Sequence, residues 1–147
     1  MSDQLLIYLA DLDHFTPGNR ISVPYSVASI KSYCNNLFLK ETDIRLFKDP
    51  NKLMKAVIDN PPHILGLSYY MWNERLTQHV ADCCKKVNKN IITAIGGPSV
   101  ARATDTYKDI LLLPSNSIDV VVLDQGEKSF ANLIKAALTY GKDKKNV

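Results

Sequence analysis

Short continuous apolar runs alternate along the chain with longer stretches in which apolar residues recur at helical spacing. Leu5-Leu-Ile-Tyr-Leu-Ala10 is closed by Asp11 and Asp13, the pattern of a strand buried on both faces. A loop over residues 11–23, rich in Asp, Pro, Gly and Asn, leads into residues 24–38. There Val27, Ile30, Tyr33, Cys34 and Leu37 share one helical face, and Pro24 suits a first turn. Residues 43–47 alternate as a second strand. Asp49 then offers an N-cap and Pro50 a first-turn residue for a helix through Val57 and Ile58, which Asn60-Pro-Pro62 ends.

Ile64-Leu-Gly-Leu-Ser68 is a third strand. Asn73 is expected to cap a helix reaching Val87, with Leu76, Val80 and Cys83 or Cys84 facing inward. Residues 91–95 form a fourth strand ending in Gly96-Gly97-Pro98, and residues 119–124 a fifth. Residues 127–140 close the pattern as a helix carrying Phe130, Leu133, Ile134 and Leu138. The stretch 99–117 is weakly patterned, with a helix expected around 106–113. Five apolar strands separated by helices predict an α/β protein whose parallel sheet is covered on both faces. The expected architecture is a three-layer Rossmann-like (flavodoxin-like) fold, with strand order 2-1-3-4-5 and right-handed crossovers. Residues 1–140 make one domain, and 141–147, without apolar periodicity, read as a solvated tail or the start of a linker.

Composition narrows the function classes without choosing among them. The 147 residues, 46% hydrophobic, suffice for one core. With 18 Lys and Arg against 15 Asp and Glu, the net charge of +3 is too near balance to imply a nucleic-acid or membrane partner by composition, and none is expected. No apolar run approaches the roughly 18 residues of a membrane span, and no basic segment precedes the first strand, so the chain reads as cytoplasmic and unprocessed. Cys34, Cys83 and Cys84 lack the spacing of a disulfide framework, a zinc site or an iron–sulfur loop, and are expected to be reduced structural thiols.

In such sheets ligands sit outside the carboxyl ends of the strands, near the switch point between the first and third. The loops there hold Asp11-Leu-Asp13-His14, Ser68-Tyr69-Tyr70-Met71-Trp72, Gly96-Gly97-Pro98 and Gln125-Gly126-Glu127, including the chain's single Trp. Paired glycines let a ligand approach the backbone, and the aromatic run suits a large planar ligand better than a phosphate. His14, after two carboxylates, is a candidate ligand or base, whereas His63 and His79 read as structural.

Taken in order, these segments resemble the cobalamin-binding domain found at the N-terminus of B12-dependent radical SAM enzymes. The similarity covers nearly the whole chain. It is carried by Ile64-Leu-Gly-Leu-Ser-Tyr-Tyr-Met-Trp-Asn73, Ile95-Gly-Gly-Pro-Ser-Val100, Asp119-Val-Val-Val and Gly126-Glu-Lys-Ser-Phe130, with Leu9-Ala-Asp-Leu-Asp-His14 and Val23-Pro-Tyr-Ser26 similar to the family's opening. The resemblance implies cobalamin at the strand ends, with Ser68 beside the nucleotide tail, Gly96 and Gly97 lining its path and the first loop facing the cobalt. The cofactor-binding residues it marks are Asp13, His14, Ser68, Tyr69, Tyr70, Trp72, Gly96, Gly97, Pro98, Gly126 and Glu127. A branched side chain at Gly97 is expected to block the tail while leaving the fold intact.

Two departures qualify this picture. The Asp-x-His-x-x-Gly motif that supplies the lower cobalt ligand in mutases and methionine synthase is broken here, because His14 has Leu12 two residues before it and Pro17 three after. The chain also lacks the Cys-x-x-x-Cys-x-x-Cys loop that holds an iron–sulfur cluster for S-adenosylmethionine, so a radical SAM domain would act in cis or in trans, and no catalytic residue or protein metal ligand is expected here. Two other readings compete. A haloacid dehalogenase-type phosphatase would use Asp11 and Asp13 as nucleophile and acid, with Ser68 and a Mg²⁺ that Asp124 and Glu127 only partly provide for. The second is a cofactor-free interaction module of the same fold.

Overall fold

The structure, a computed structural model, describes residues 4–13, 23–102, 116–123 and 125–141. Its elements run β1 (Leu5–Ala10), α1 (Tyr25–Phe38), β2 (Thr42–Phe47), α2 (Pro50–Asp59), β3 (Ile64–Ser68), α3 (Glu74–Val87), β4 (Ile92–Gly96), α4 (Pro98–Arg102), β5 (Val120–Val122) and α5 (Gly126–Tyr140). All strand pairs are parallel, and the sheet order is β2-β1-β3-β4-β5, as expected. The helix expected around 106–113 lies outside the described residues, and α4, which was not expected, begins at Pro98.

Successive side chains of a strand point to opposite faces, so a sheet covered on both sides sorts its residues by alternation. Leu5, Ile7 and Leu9 of β1 face α1 and α5, together with Ile64, Ile92 and Ala94. Leu6, Tyr8 and Ala10 join Leu65, Leu67 and Ile95 in a second core under α2 and α3. On α1 only Val27 and Cys34 are fully buried; Tyr33 and Leu37, expected on the inner face, are exposed because α5 covers only part of the helix. Cys84, rather than Cys83, is the buried member of its pair.

Local chemistry fixes several element ends. The Asp49 carboxylate accepts hydrogen bonds from the Asn51 and Lys52 amides at 2.8 and 3.3 Å, and Pro50 opens α2 as expected. His63 is structural: its Nδ1 accepts from the Leu6 amide at 3.0 Å. All three cysteines are free thiols, and burial pushes Cys34 up to about 11 and Cys84 up to about 12, which leaves both protonated and unreactive. Among the described residues no helix is long and apolar enough to cross a membrane.

The short β5 is held at its amino end by charge. Asp119, expected within the strand, instead accepts from the Thr93 amide at 2.8 Å and pairs with Lys85 of α3, which also donates to the Ile91 carbonyl. Both side chains are only 12% exposed, so removing one strands the other in a poorly hydrated place. Asp119→Ala is expected to lower unfolding free energy by about 2–4 kcal/mol, read from the urea midpoint. A midpoint equal to wild type would show that β5 is held by packing alone.

Candidate functional site

The strand register brings small residues together at the carboxyl end of the sheet. Ser68 lies opposite Gly96, and Gly96 opposite Val122. One layer deeper on the same face are Gly66 and Ala94. Gly66 is bare because α5 sits close: a Cβ there would lie 2.6 Å from Leu9 Cδ2 and 2.9 Å from Phe130 Cε2. Between these positions and the helices α1 and α5 is a cavity of about 200 Å³, with apolar walls from Leu9, Val27, Ile30, Ala94, Val122 and Phe130. Ser26, Ser68, Tyr70, Gly97, Pro98, Gly126 and Glu127 complete its lining. Six of the sequence-predicted residues therefore converge with Gly96 on one cavity.

Each polar group there has a definite environment. The Ser68 hydroxyl lies 3.3 Å from the Ala10 carbonyl and also hydrogen bonds the Asp11 carboxylate. Burial raises the Asp11 carboxyl above its usual range, with the Ser68 hydroxyl and Lys48 acting in the opposite sense. Ser29 of α1 donates to Glu127 Oε1 at 2.7 Å, tying together the two helices that wall the cavity. That hydrogen bond, with the residue's own amide, holds the Glu127 carboxyl below its ordinary value. Ser26 Oγ is buried and has no hydrogen-bond partner among the described residues.

A second hollow of about 270 Å³ adjoins the first through the shared residues Ser26 and Tyr70. It is lined by Asp11, Asp13, Val23, Tyr25, Lys48 and Trp72, and Asp13 pairs with Lys48 at 3.4 Å. Tyr70 and Trp72 stack with centroids 4.5 Å apart and planes within 8°, and Trp72 is 64% exposed beside the exposed Met71. Asp13, Tyr70 and Trp72 thus gather around the second hollow, while His14 lies outside the described residues. Among the described residues no cluster of His, Cys, Asp and Glu has the arrangement of a metal site.

Three readings of local detail change. Tyr69 is 3% exposed and packs into the α2–α3 core, where its hydroxyl accepts from Gln78 at 2.7 Å, so it lines neither hollow. Asn73 precedes α3 but makes no side-chain cap. Its fully buried amide accepts from the Tyr70 N–H at 2.9 Å and donates to the Leu12 carbonyl at 3.1 Å, bracketing the aromatic loop to the end of β1. An Asn directly after an aromatic run was the available signal for this bracket, and it reads equally as a cap. Gly97 has φ +133°, and a Cβ there would lie 2.8 Å from the Tyr69 carbonyl oxygen. A branched residue therefore disturbs the backbone itself, which overturns the expectation that it would spare the fold.

Asn73→Ala leaves the Tyr70 amide and Leu12 carbonyl unpaired. It is expected to cost about 2–3 kcal/mol and to diminish the near-ultraviolet circular dichroism of the Tyr70–Trp72 stack; an unchanged spectrum would refute the bracket. Glu127 is expected to titrate below 4.5, and Ser29→Ala to raise its midpoint, as followed by carboxyl carbon resonances. Because the folded value is the lower one, the stabilisation is present above the unfolded value and disappears as pH falls through the folded one. An unshifted Glu127 in Ser29→Ala would deny the hydroxyl that role.

No curated protein matches the chain. Residues 20–134 match the family described as B12 binding domain, a span of well over half the chain that includes the cavity-lining parts of α1, β3, β4, β5 and α5. The covered parallel sheet in 2-1-3-4-5 order, with its cavity at the carboxyl ends, is the architecture that such a domain requires. The chain belongs to the B12 binding domain family, and cobalamin is the ligand that this membership supports.

Proposed function

We propose that the chain holds cobalamin across the carboxyl ends of its strands and presents it to a radical SAM catalytic domain acting in cis or in trans. The observation that carries this reading is the apolar cavity beneath Ser68, Gly96 and Gly126, which adjoins, across the shared residues Ser26 and Tyr70, a second hollow edged by aromatic rings. A slender nucleotide tail suits the first space and a broad corrin rim the second. The apolar walls from Leu9, Val27, Ile30 and Phe130 and the small residues Ser68, Ala94, Gly96 and Gly126 leave a space that a bound organic group would fill, so these residues fit cobalamin.

Each side chain then has a distinct task. Ser68, Gly96, Gly97, Pro98 and Gly126 shape the path of the tail, and Glu127 fixes the spacing of α1 and α5 through Ser29. The Tyr70–Trp72 stack offers a flat apolar edge to the corrin, and Asp13 with Lys48 borders the hollow on the side of the first loop. Bound cobalamin supplies a cobalt centre able to carry an alkyl group. The iron–sulfur cluster and S-adenosylmethionine belong to the partner domain, because this chain has no Cys-x-x-x-Cys-x-x-Cys loop. The ordered motifs from Ile64 to Phe130 are the support for that partner class, and free thiols accord with a cytoplasmic setting.

Anaerobic titration with hydroxocobalamin, followed by visible absorbance and quenching of Trp72, the only tryptophan, is expected to show saturable binding with a base-off spectrum. Ala94→Leu places a larger side chain into the cavity from the sheet and should weaken binding by about tenfold or more while leaving the far-ultraviolet spectrum intact. No binding by folded protein would overturn the proposal in favour of a cofactor-free interaction module. The radical SAM assignment fails if neither the same gene nor an adjacent one encodes the cluster-binding cysteine loop.

A further inference from the structure

We infer that His79 and Cys83, on the outer face of α3, form a two-donor chelate for a thiophilic divalent ion of the Zn²⁺ class, with water in the remaining coordination positions. The pair stands across the sheet from the cavity, on the side of the α2–α3 core, and is independent of the cobalamin reading.

Residues four apart on a helix share one face, and their side chains lean toward the helix amino end, so Cys83 reaches back over the turn that holds His79. Cys83 Sγ lies 3.7 Å from His79 Nε2. A tetrahedral zinc ion with a sulfur at about 2.3 Å and an imidazole nitrogen at about 2.0–2.1 Å sets those two donors about 3.5 Å apart. The observed separation is close to that span, and small rotations of the two side chains close the difference. The backbone beneath them is already fixed: Thr77, Val80, Ala81 and Cys84 bury the inner face of α3, and Lys85 ties the helix to Asp119. Chelation therefore orders two side chains and nothing more.

The other candidate donors are committed elsewhere. His63 Nδ1 accepts from the Leu6 amide, and Cys34 and Cys84 are buried, so Cys83 is the one thiol of the three that reaches the surface. Cysteine spacing alone misses the pair, because its second donor is a histidine one helical turn away. Among the described residues no set of three His, Cys, Asp or Glu side chains has the arrangement of a metal site, so two protein donors leave this one open to water. Asp82 is next to Cys83 in sequence, but Arg75 and Lys86 stand one turn to either side of the pair, so charge alone gives a hard ion no hold. A thiolate with an imidazole selects Zn²⁺ or Co²⁺ over Mg²⁺ and Ca²⁺. On binding, the thiol proton passes to solvent and a sulfur lone pair makes the metal bond, with no change of oxidation state.

The test uses the intact, reduced chain with Co²⁺ as the probe, followed by the near-ultraviolet charge-transfer band of a cobalt–thiolate bond. The wild-type chain is expected to take up one Co²⁺ saturably and to show the band, which excess Zn²⁺ removes and excess Mg²⁺ leaves in place. Cys83→Ala is expected to abolish the band, and His79→Ala to weaken binding by about tenfold or more, since loss of even an outer partner of a metal ligand has an effect of that size. Both substitutions are on the outer face of α3, and unchanged far-ultraviolet spectra check that the variants fold. On the wild-type chain, Zn²⁺ is also expected to slow alkylation of Cys83 by iodoacetamide, read by peptide mass. Absence of a saturable band in wild type would overturn the inference, as would a band that survives Cys83→Ala, a folded His79→Ala chain that binds Co²⁺ like wild type, or alkylation that Zn²⁺ does not slow. Half a Co²⁺ per chain together with a dimer in sedimentation would overturn completion by water in favour of an ion shared between two copies.

Discussion

Both faces of the sheet are buried at once, and the rest of the molecule follows from that constraint. Along the inner strands β1, β3 and β4 the alternation commits residues to one core or the other, so a single sequence must specify two packing problems interleaved residue by residue. Along β3 and β4 the solutions differ. The face under α2 and α3 ends in Leu67, Tyr69 and Ile95, which fill it. The face under α1 and α5 ends in Gly66, Ser68, Ala94 and Gly96, which do not. The cavity lies over Ser68, Ala94 and Gly96 on that side, whereas the space beside Gly66 is taken by Leu9 and Phe130.

The same alternation explains how much was legible beforehand. The strand order, the two layers of helices and the Asp49 cap follow from apolar runs, helical spacing and turn chemistry, all of which act locally. The grouping of Ser68 with Gly96 and Glu127 was also legible, because a parallel sheet places its loops at one end. What escaped was direction. Tyr69 shares a loop with Ser68 but lies one residue further along, so it turns to the opposite core. Asn73 has the composition of a cap and the contacts of a bracket, since its choice between the α3 amides and the distant Leu12 carbonyl is tertiary. Tyr33 and Leu37 lie on a helical stripe wider than the neighbour that covers it.

Charge is distributed in the same polar fashion as the packing. At the amino ends of β4 and β5, Lys85 and Asp119 lock α3 to the sheet edge far from the cavity. At the carboxyl ends the charged groups are arranged around open space: Glu127 links α1 to α5, Asp13 meets Lys48, and Asp11 sits against Ser68. One end of the sheet spends its polar groups on closure and the other on holding walls apart. Such division lets the binding end vary in shape without loosening the edge strand.

Gly97 shows what this arrangement means for recognition. Its turn is fixed by a backbone angle open to glycine and by the Tyr69 amide bonded to the Gly96 carbonyl at 2.7 Å, before any ligand arrives. The main chain at this point therefore loses little conformational entropy on association, and the fit of the ligand is met by a rigid surface. Discrimination between similar ligands then shows itself in how long each remains bound rather than in how quickly it is captured.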